Sequence, residues 1–476
     1  MRRRRVVLLV ILGAALIDTA AEFRSCAHDP RPQDVQQIAD HAVALDLDKP
    51  YARDDYRFLD HAVGSASIVQ LGESLHITQE FPRIRLRLIE YLHEQLGFDT
   101  LALEGSLTQT WLAQEQLYRS HDVTRAQEMA WFRLWRTEPM RELMTYVDAT
   151  QRTSTPLYLT SFDIQIGQSS AFSDGEDVIA TLFTALHAFG PPPNAAREAD
   201  WRVALTPVIR CAVSPEGFAA HRDAALAAVD AIGAWIDAIG PQVAAQRPAA
   251  HATALRMIPD NFRDDIELCM HAATWQMTRD ELNANNAVKL RDQLSAAHEI
   301  ILWAHHSHVA YDSTHRNIVS MGERIHARMP GDVYTIGLFA GGGRVIDGAL
   351  FGERDLPSTR RFGVERLLQA VDRDAYFIDL KSLPTTDPQA GWLVPDSARM
   401  EVFGRRPTVL AKDFDGAIYV ARVHPADFID SAVGRWVLRA LGFVEAHFIG
   451  VAILLVTGVG WLIWAIARRI RRWLRR

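Results

Sequence analysis

The sequence predicts an α/β fold: a mostly parallel sheet with helices on both faces, a helical insertion, and a C-terminal transmembrane helix. Three observations predict it. Short apolar runs alternate with longer stretches of helical period over most of the chain, as strand–helix–strand units do. A block from about 175 to 295 is rich in Ala and carries helical period throughout. Near the end, FIGVAILLVTGVGWLIWAIA (448–467) gives twenty residues without a charge. At about 1.5 Å per residue that stretch crosses a bilayer core of about 30 Å.

The chain begins with Met1 and four arginines, then the apolar run VVLLVILGAALI and the small residues Thr19, Ala20 and Ala21. A basic start followed by a short apolar run reads as a signal peptide or signal anchor over 1–25. The last nine residues, RRIRRWLRR (468–476), hold six arginines and read as a basic cytoplasmic tail. Arginine-rich flanks stay inside. Everything between the two apolar segments is therefore expected outside, anchored to the inner membrane and facing the periplasm or exterior. Without the four N-terminal and six C-terminal arginines the chain has 41 basic against 58 acidic residues, a net charge of −17. That balance excludes a nucleic-acid partner. Cys26, Cys211 and Cys269 fit no metal spacing. In an oxidising compartment Cys211 and Cys269 form the candidate disulfide, leaving Cys26 over.

Residues 27–50 read as a polar linker with a short helix, and a single domain is expected over 35–425. Its predicted strands are 68–71, 100–103, 157–161, 299–304, 333–339, 375–378 and 417–420. Predicted helices cover 84–96, 107–119, 123–133, 138–151, 175–189, 215–239, 262–295 and 318–328. Breaks are expected at GPPPN (190–194) and at GPQ (240–242). GLFAGGGRVIDGALF (337–351) reads as a strand, a glycine turn and a second strand, without the spacing of a phosphate loop.

Four of the strands finish on ionisable groups. The first ends LGE, with Glu73, and His76 follows. The next ends in Glu104, the third in Asp163, and the fourth in His305, His306 and His308. Polar groups just past the carboxyl ends of neighbouring parallel strands share one edge of the sheet, where ligands bind. Two histidines and several carboxylates on one edge suit general acid–base hydrolysis. A neutral imidazole takes a proton from water, a carboxylate fixes its tautomer, and a second histidine or an arginine stabilises the oxyanion. No G-x-S-x-G elbow or motif cysteine is present, which favours attack by water. Each residue alone has an ordinary reading, as a helix cap, a loop histidine or an ion-pair partner. Their occurrence at successive strand ends is what points to a site.

Taken in order, these motifs resemble the erythromycin esterase family. The likeness rests on GESLHITQE (72–80), LALEG with Glu104, the helix WFRLWRTEPMREL, SFDIQ with Asp163, RDELNANN beginning at Arg279, WAHHSHV with His305 and His308, and the later MGERI and YTIGLFAGG. It spans about 35–425. The resemblance implies an esterase that uses water and neither metal nor cofactor. It makes His76 the general base, with Glu73 and Glu104 beside it. His305, His308 and Arg85 then bind or polarise the carbonyl of a small-molecule ester or lactone, with Asp163 and Arg279 also lining the substrate side. Ile77 stands where the family usually has glycine, and Asn283 where it usually has methionine. Two other chemistries use the same residue types: a zinc hydrolase with three protein ligands and a water, and a binding module that holds haem or another small ligand between histidines.

Overall fold

The computed structural model describes residues 30–429 except 131, 168–174, 208, 210–214, 312–318, 348–351, 357–363, 384–398, 401–406 and 409. The expected signal segment, the apolar stretch 448–467, the basic tail, Cys26 and Cys211 lie outside the described residues. Cys269 is buried and disulfide-bonded.

The strands in chain order are β1 (Val43–Ala44), β2 (Ile68–Glu73), β3 (Thr100–Ser106), β4 (Tyr158–Asp163), β5 (Ile300–His305), β6 (Val333–Ala340), β7 (Arg344–Asp347), β8 (Gly352–Asp355), β9 (Ala375–Asp379), β10 (Arg399–Met400), β11 (Pro407–Thr408) and β12 (Gly416–Val420). Eight of them form one sheet in the order β1-β9-β12-β6-β2-β5-β3-β4. From β12 to β4 every pairing is parallel; β9 runs antiparallel to both β12 and β1. All seven predicted strands are present, most of them one to three residues longer at their ends. Every residue of β2, β3, β4, β6 and β12 is buried. Successive side chains point to opposite faces of a strand, so unbroken burial means that both faces are covered.

Between β4 and β5 the described elements are all helical: Gly175–His187, Glu198–Leu205, Pro215–Gln246, Ala249–Met270 and Trp275–Leu294, with short 3-10 turns. Two expectations are corrected here. The break at 240–242 does not occur, because the helix runs through Pro241 to Gln246. A proline in a helix costs about 3 kcal/mol. Ile236, Ile239 and Val243 are buried around it, each worth about 1.5–3 kcal/mol, so packing wins. The expected single helix 262–295 is instead two helices, parted at His271, where φ −111° and ψ 42° leave the helical region. No glycine or proline marks that break.

Ala219–Gln246 is long and apolar enough to cross a membrane by length and composition alone. Its buried residues Ala225, Ala228, Val229, Ile232, Trp235, Ile236, Ile239 and Val243 recur at three and four, the stripe of a helix lying on a protein core. The glycine-rich turn after β6 leads to β7, which pairs with β8 and not with β6.

Candidate active site

The sheet order sets β2, β5, β3 and β4 side by side and parallel, so their carboxyl ends meet. Glu73 and His305 are register partners at the ends of β2 and β5. The register between β3 and β4 shifts between Leu103 and Ser106. A bulge of this kind re-aims a side chain at a sheet end, and here it falls on Glu104.

Two glycines let the fourth strand end close over the first. A Cβ on Gly72 would stand 2.7 Å from a Val309 methyl and 2.8 Å from the His306 ring. A Cβ on Gly322 would stand 2.1 Å from the Val309 carbonyl oxygen. The turn His306–Val309 therefore sits between two backbones that only glycine permits so near. His305 caps this turn, its Nδ1 accepting from the Ser307 amide at 3.1 Å. A nitrogen that accepts carries no proton, so the His305 ring has its proton on Nε2. His306 is fully buried; its Nε2 accepts from the Leu338 amide at 3.0 Å, and its ring packs on Phe339 and Phe414. It is a core residue.

One half of the cluster surrounds His76. Glu73, fully buried, accepts from His76 Nδ1 at 2.6 Å and from Arg85 Nη1 at 2.8 Å. The His76 side chain is 32% exposed. Its ring lies 4.9 Å from the His305 ring and edge-on to Trp135 at 5.7 Å. With Nδ1–H held by Glu73, the neutral ring offers Nε2 as its base. Burial lowers the pKa of His76, but the hydrogen bond and charge of Glu73, with Glu104 behind, outweigh it and leave the pKa raised. Arg85 is fully buried. Its Nη2 donates to the Ala304 carbonyl at 3.2 Å and its guanidinium lies 4.3 Å over the Trp303 ring. Burial brings its pKa down to about 10, which still leaves it charged at neutral pH.

The other half is sealed. Arg279 binds Asp163 through Nε at 3.1 Å and through Nη2, and donates to Glu104 at 3.0 Å. His308 is held on both nitrogens: Nδ1 by Asp280, and Nε2 3.2 Å from Glu104 and 3.2 Å from Arg279. Burial depresses His308, yet the charges of Asp280 and Glu104 override it and push the pKa up to about 9. Burial works to raise the pKa of Glu104, but the neighbouring His308, Arg279 and His76 hold it well below the usual carboxylate range. Glu104 also accepts the His305 amide at 3.0 Å, which joins the two halves.

All eight residues singled out from the sequence meet at this edge. Arg85, Arg279, Asp163 and His308, expected on the substrate side, are buried and paired with charged neighbours. Asp280 was missed as a site residue. Its signal was readable: neither Asp280 nor Arg279 has an opposite charge three or four places away on its helix, so their partners had to come from elsewhere. Among the described residues no three His, Cys, Asp or Glu side chains group so as to hold a metal ion. The carboxylates a zinc ion would need are already committed to guanidiniums and imidazoles.

Known proteins agree with this architecture. The chain is 24% identical over 467 residues to a putative hydrolase, YbfO, of Bacillus subtilis, covering 89% of this chain and 99% of that one. Three solved structures share the fold. A Bacillus cereus protein matches with a TM-score of 0.66 at 16% identity over 84% of this chain and 99% of its own. A succinoglycan biosynthesis protein matches at 0.64 and 15%, over 83% and 98%. A mutant of the erythromycin esterase EreC in its open conformation matches at 0.56 and 16%, over 82% and 98%. The family profile described as erythromycin esterase matches residues 93–423, and the chain belongs to that family.

Proposed function

We propose that this protein hydrolyses a carboxylic ester or lactone by attack of water, with His76 as general base. The observation that carries the reading is the Glu73–His76 pair. The carboxylate is locked from behind by Arg85 and fixes the imidazole tautomer, while the ring keeps an exposed edge. Water gives a proton to His76 Nε2 as its oxygen adds to the carbonyl carbon. The oxyanion takes a hydrogen bond from His305 Nε2–H. When the C–O bond breaks, the departing alkoxide recovers the proton from His76, releasing an acid and an alcohol. The cationic His308 and Arg279 offset the buried carboxylates and so hold Glu104 and the His305 backbone in place.

The arginine-flanked apolar stretches at 1–25 and 448–467 support a place for this chemistry on the outer side of the inner membrane, with the C-terminal stretch as anchor. The test is a panel of esters and lactones assayed with wild-type and His76→Ala protein. The reading expects hydrolysis of at least one ester, dependent on His76 and indifferent to chelators. Stoichiometric zinc, with activity lost to a chelator, would replace it with the metal-dependent chemistry.

A further inference from the structure

The chain leaves β12 and crosses the rim of the site as a strap, residues 423–429. It runs along the loop that carries His76. The Gln79 amide donates to the His424 carbonyl at 2.9 Å, the Ala426 amide to the Ile77 carbonyl at 3.4 Å, and Thr78 and Pro425 form an antiparallel bridge. Further on, the strap meets the segment after Trp135. The Ile429 amide donates to the Arg136 carbonyl at 3.1 Å, the Glu138 amide donates to the Asp427 carbonyl at 2.9 Å, and Thr137 bridges Phe428. Glu80 closes the base of the loop, accepting from the His424 amide at 2.9 Å and pairing with its Nδ1 at 2.7 Å.

Under the strap lies a small hydrophobic cluster separate from the main core. Ile77, Ile346 and Ala426 are buried in it, with Leu134 and Phe428 packed alongside. Ile77 is the residue directly after the proposed base. It occupies the position where the sequence resemblance led one to expect glycine, the residue that leaves a loop most free. Here the position is anchored. A side chain at 76 cannot hold its register with Glu73 if residue 77 is free to move.

We infer that Ile77 and the 423–429 strap are positioning elements for His76: the satellite cluster fixes the loop, and the loop fixes the imidazole against Glu73. This rests on His76 being the base. The His424–Glu80 pair contributes less, because the His424 side chain is 60% exposed and exposed pairs are weak. The burden falls on Ile77 and the main-chain pairing.

The experiment compares Ile77→Ala and Ile77→Val. The first readout is the pKa of the His76 ring by NMR, assigned through the signal missing in His76→Gln; it needs no substrate. The second is turnover of a para-nitrophenyl ester. In Ile77→Ala the His76 pKa should fall towards its ordinary value as the pair with Glu73 loosens. kcat should drop by about 10- to 100-fold, the scale of a small misplacement at a reacting group, with KM within about threefold. Ile77→Val, which keeps a branched side chain in the cluster, should restore both. The proposal is overturned if Ile77→Ala folds and leaves the His76 pKa at its wild-type value. Should that variant fail to fold, Ile346→Ala, which trims the same cluster from the other side, decides by the same titration, and no shift in the His76 pKa overturns the proposal. If the shift appears but His76→Ala hydrolyses as well as wild type, the strap holds and the assignment of the base fails.

Discussion

The two halves of the site use the same residue types to opposite ends. Around His76 there is one carboxylate, one buried guanidinium and a ring with an open edge. Around His308 there are three carboxylates, one guanidinium and a ring bound on both nitrogens. Both imidazoles have raised pKa values, and in both the partner carboxylates overcome burial. Only His76 has a nitrogen left to accept a proton. A histidine beside acids is therefore not a base by virtue of its neighbours; what decides is whether one nitrogen is left without a partner on a ring that solvent reaches. The outer half keeps a nitrogen able to accept a proton, and the inner half is a buried, fully paired network.

That comparison predicts different failures. His76→Ala should lower kcat/KM by about 10²–10⁴-fold while leaving the urea midpoint nearly unchanged, since the ring is partly exposed. Activity within about threefold of wild type would remove the distinction. Arg279→Ala should act the other way. It leaves Asp163 buried without its cation and takes one of two cations from Glu104, a loss of about 3–5 kcal/mol in unfolding free energy. Chemical denaturation should show it, and a change below about 1 kcal/mol would mean that the inner network is not structural. A smaller loss, about 1–3 kcal/mol, is expected for Gly322→Ala, whose added methyl strikes the Val309 carbonyl and shifts the turn behind His305.

A further effect is expected in the pH dependence of stability. The folded His308 pKa of about 9 lies above the unfolded value of about 6.5. Its contribution is then complete below about pH 6.5 and is lost as pH rises through about 9. In His308→Asn that decline should flatten when urea midpoints are followed between these limits. An unchanged slope would show that the ring is not held as a cation.

Much of the outer half could be read from the sequence, because it is local. Glu73 and His76 lie three residues apart just past an apolar strand, and Glu104 and His305 end runs of the same kind. The parallel order that unites them followed from strands alternating with helices. The inner half was less legible. Asp280 and Arg279 lie on a helix far along the chain, and only the fold shows that their partners are His308, Glu104 and Asp163. The strap was invisible for the same reason. HPADF (424–428) has no strand pattern, and its pairing with residues 77–79 joins positions more than 300 apart in sequence. Proline misled at 241, where packing outweighed it, and no residue type announced the break at His271.

The most direct test is the pH dependence of kcat/KM for a para-nitrophenyl ester in wild-type and Glu73→Gln protein. A base must be neutral, so activity should rise with pH through a group titrating above 6.5, the ordinary histidine value. In Glu73→Gln the ring loses the charge that raises its pKa; the acid limb should move to lower pH and the plateau should fall. An acid limb that stays in place while the plateau falls would contradict the pairing of Glu73 with a catalytic His76.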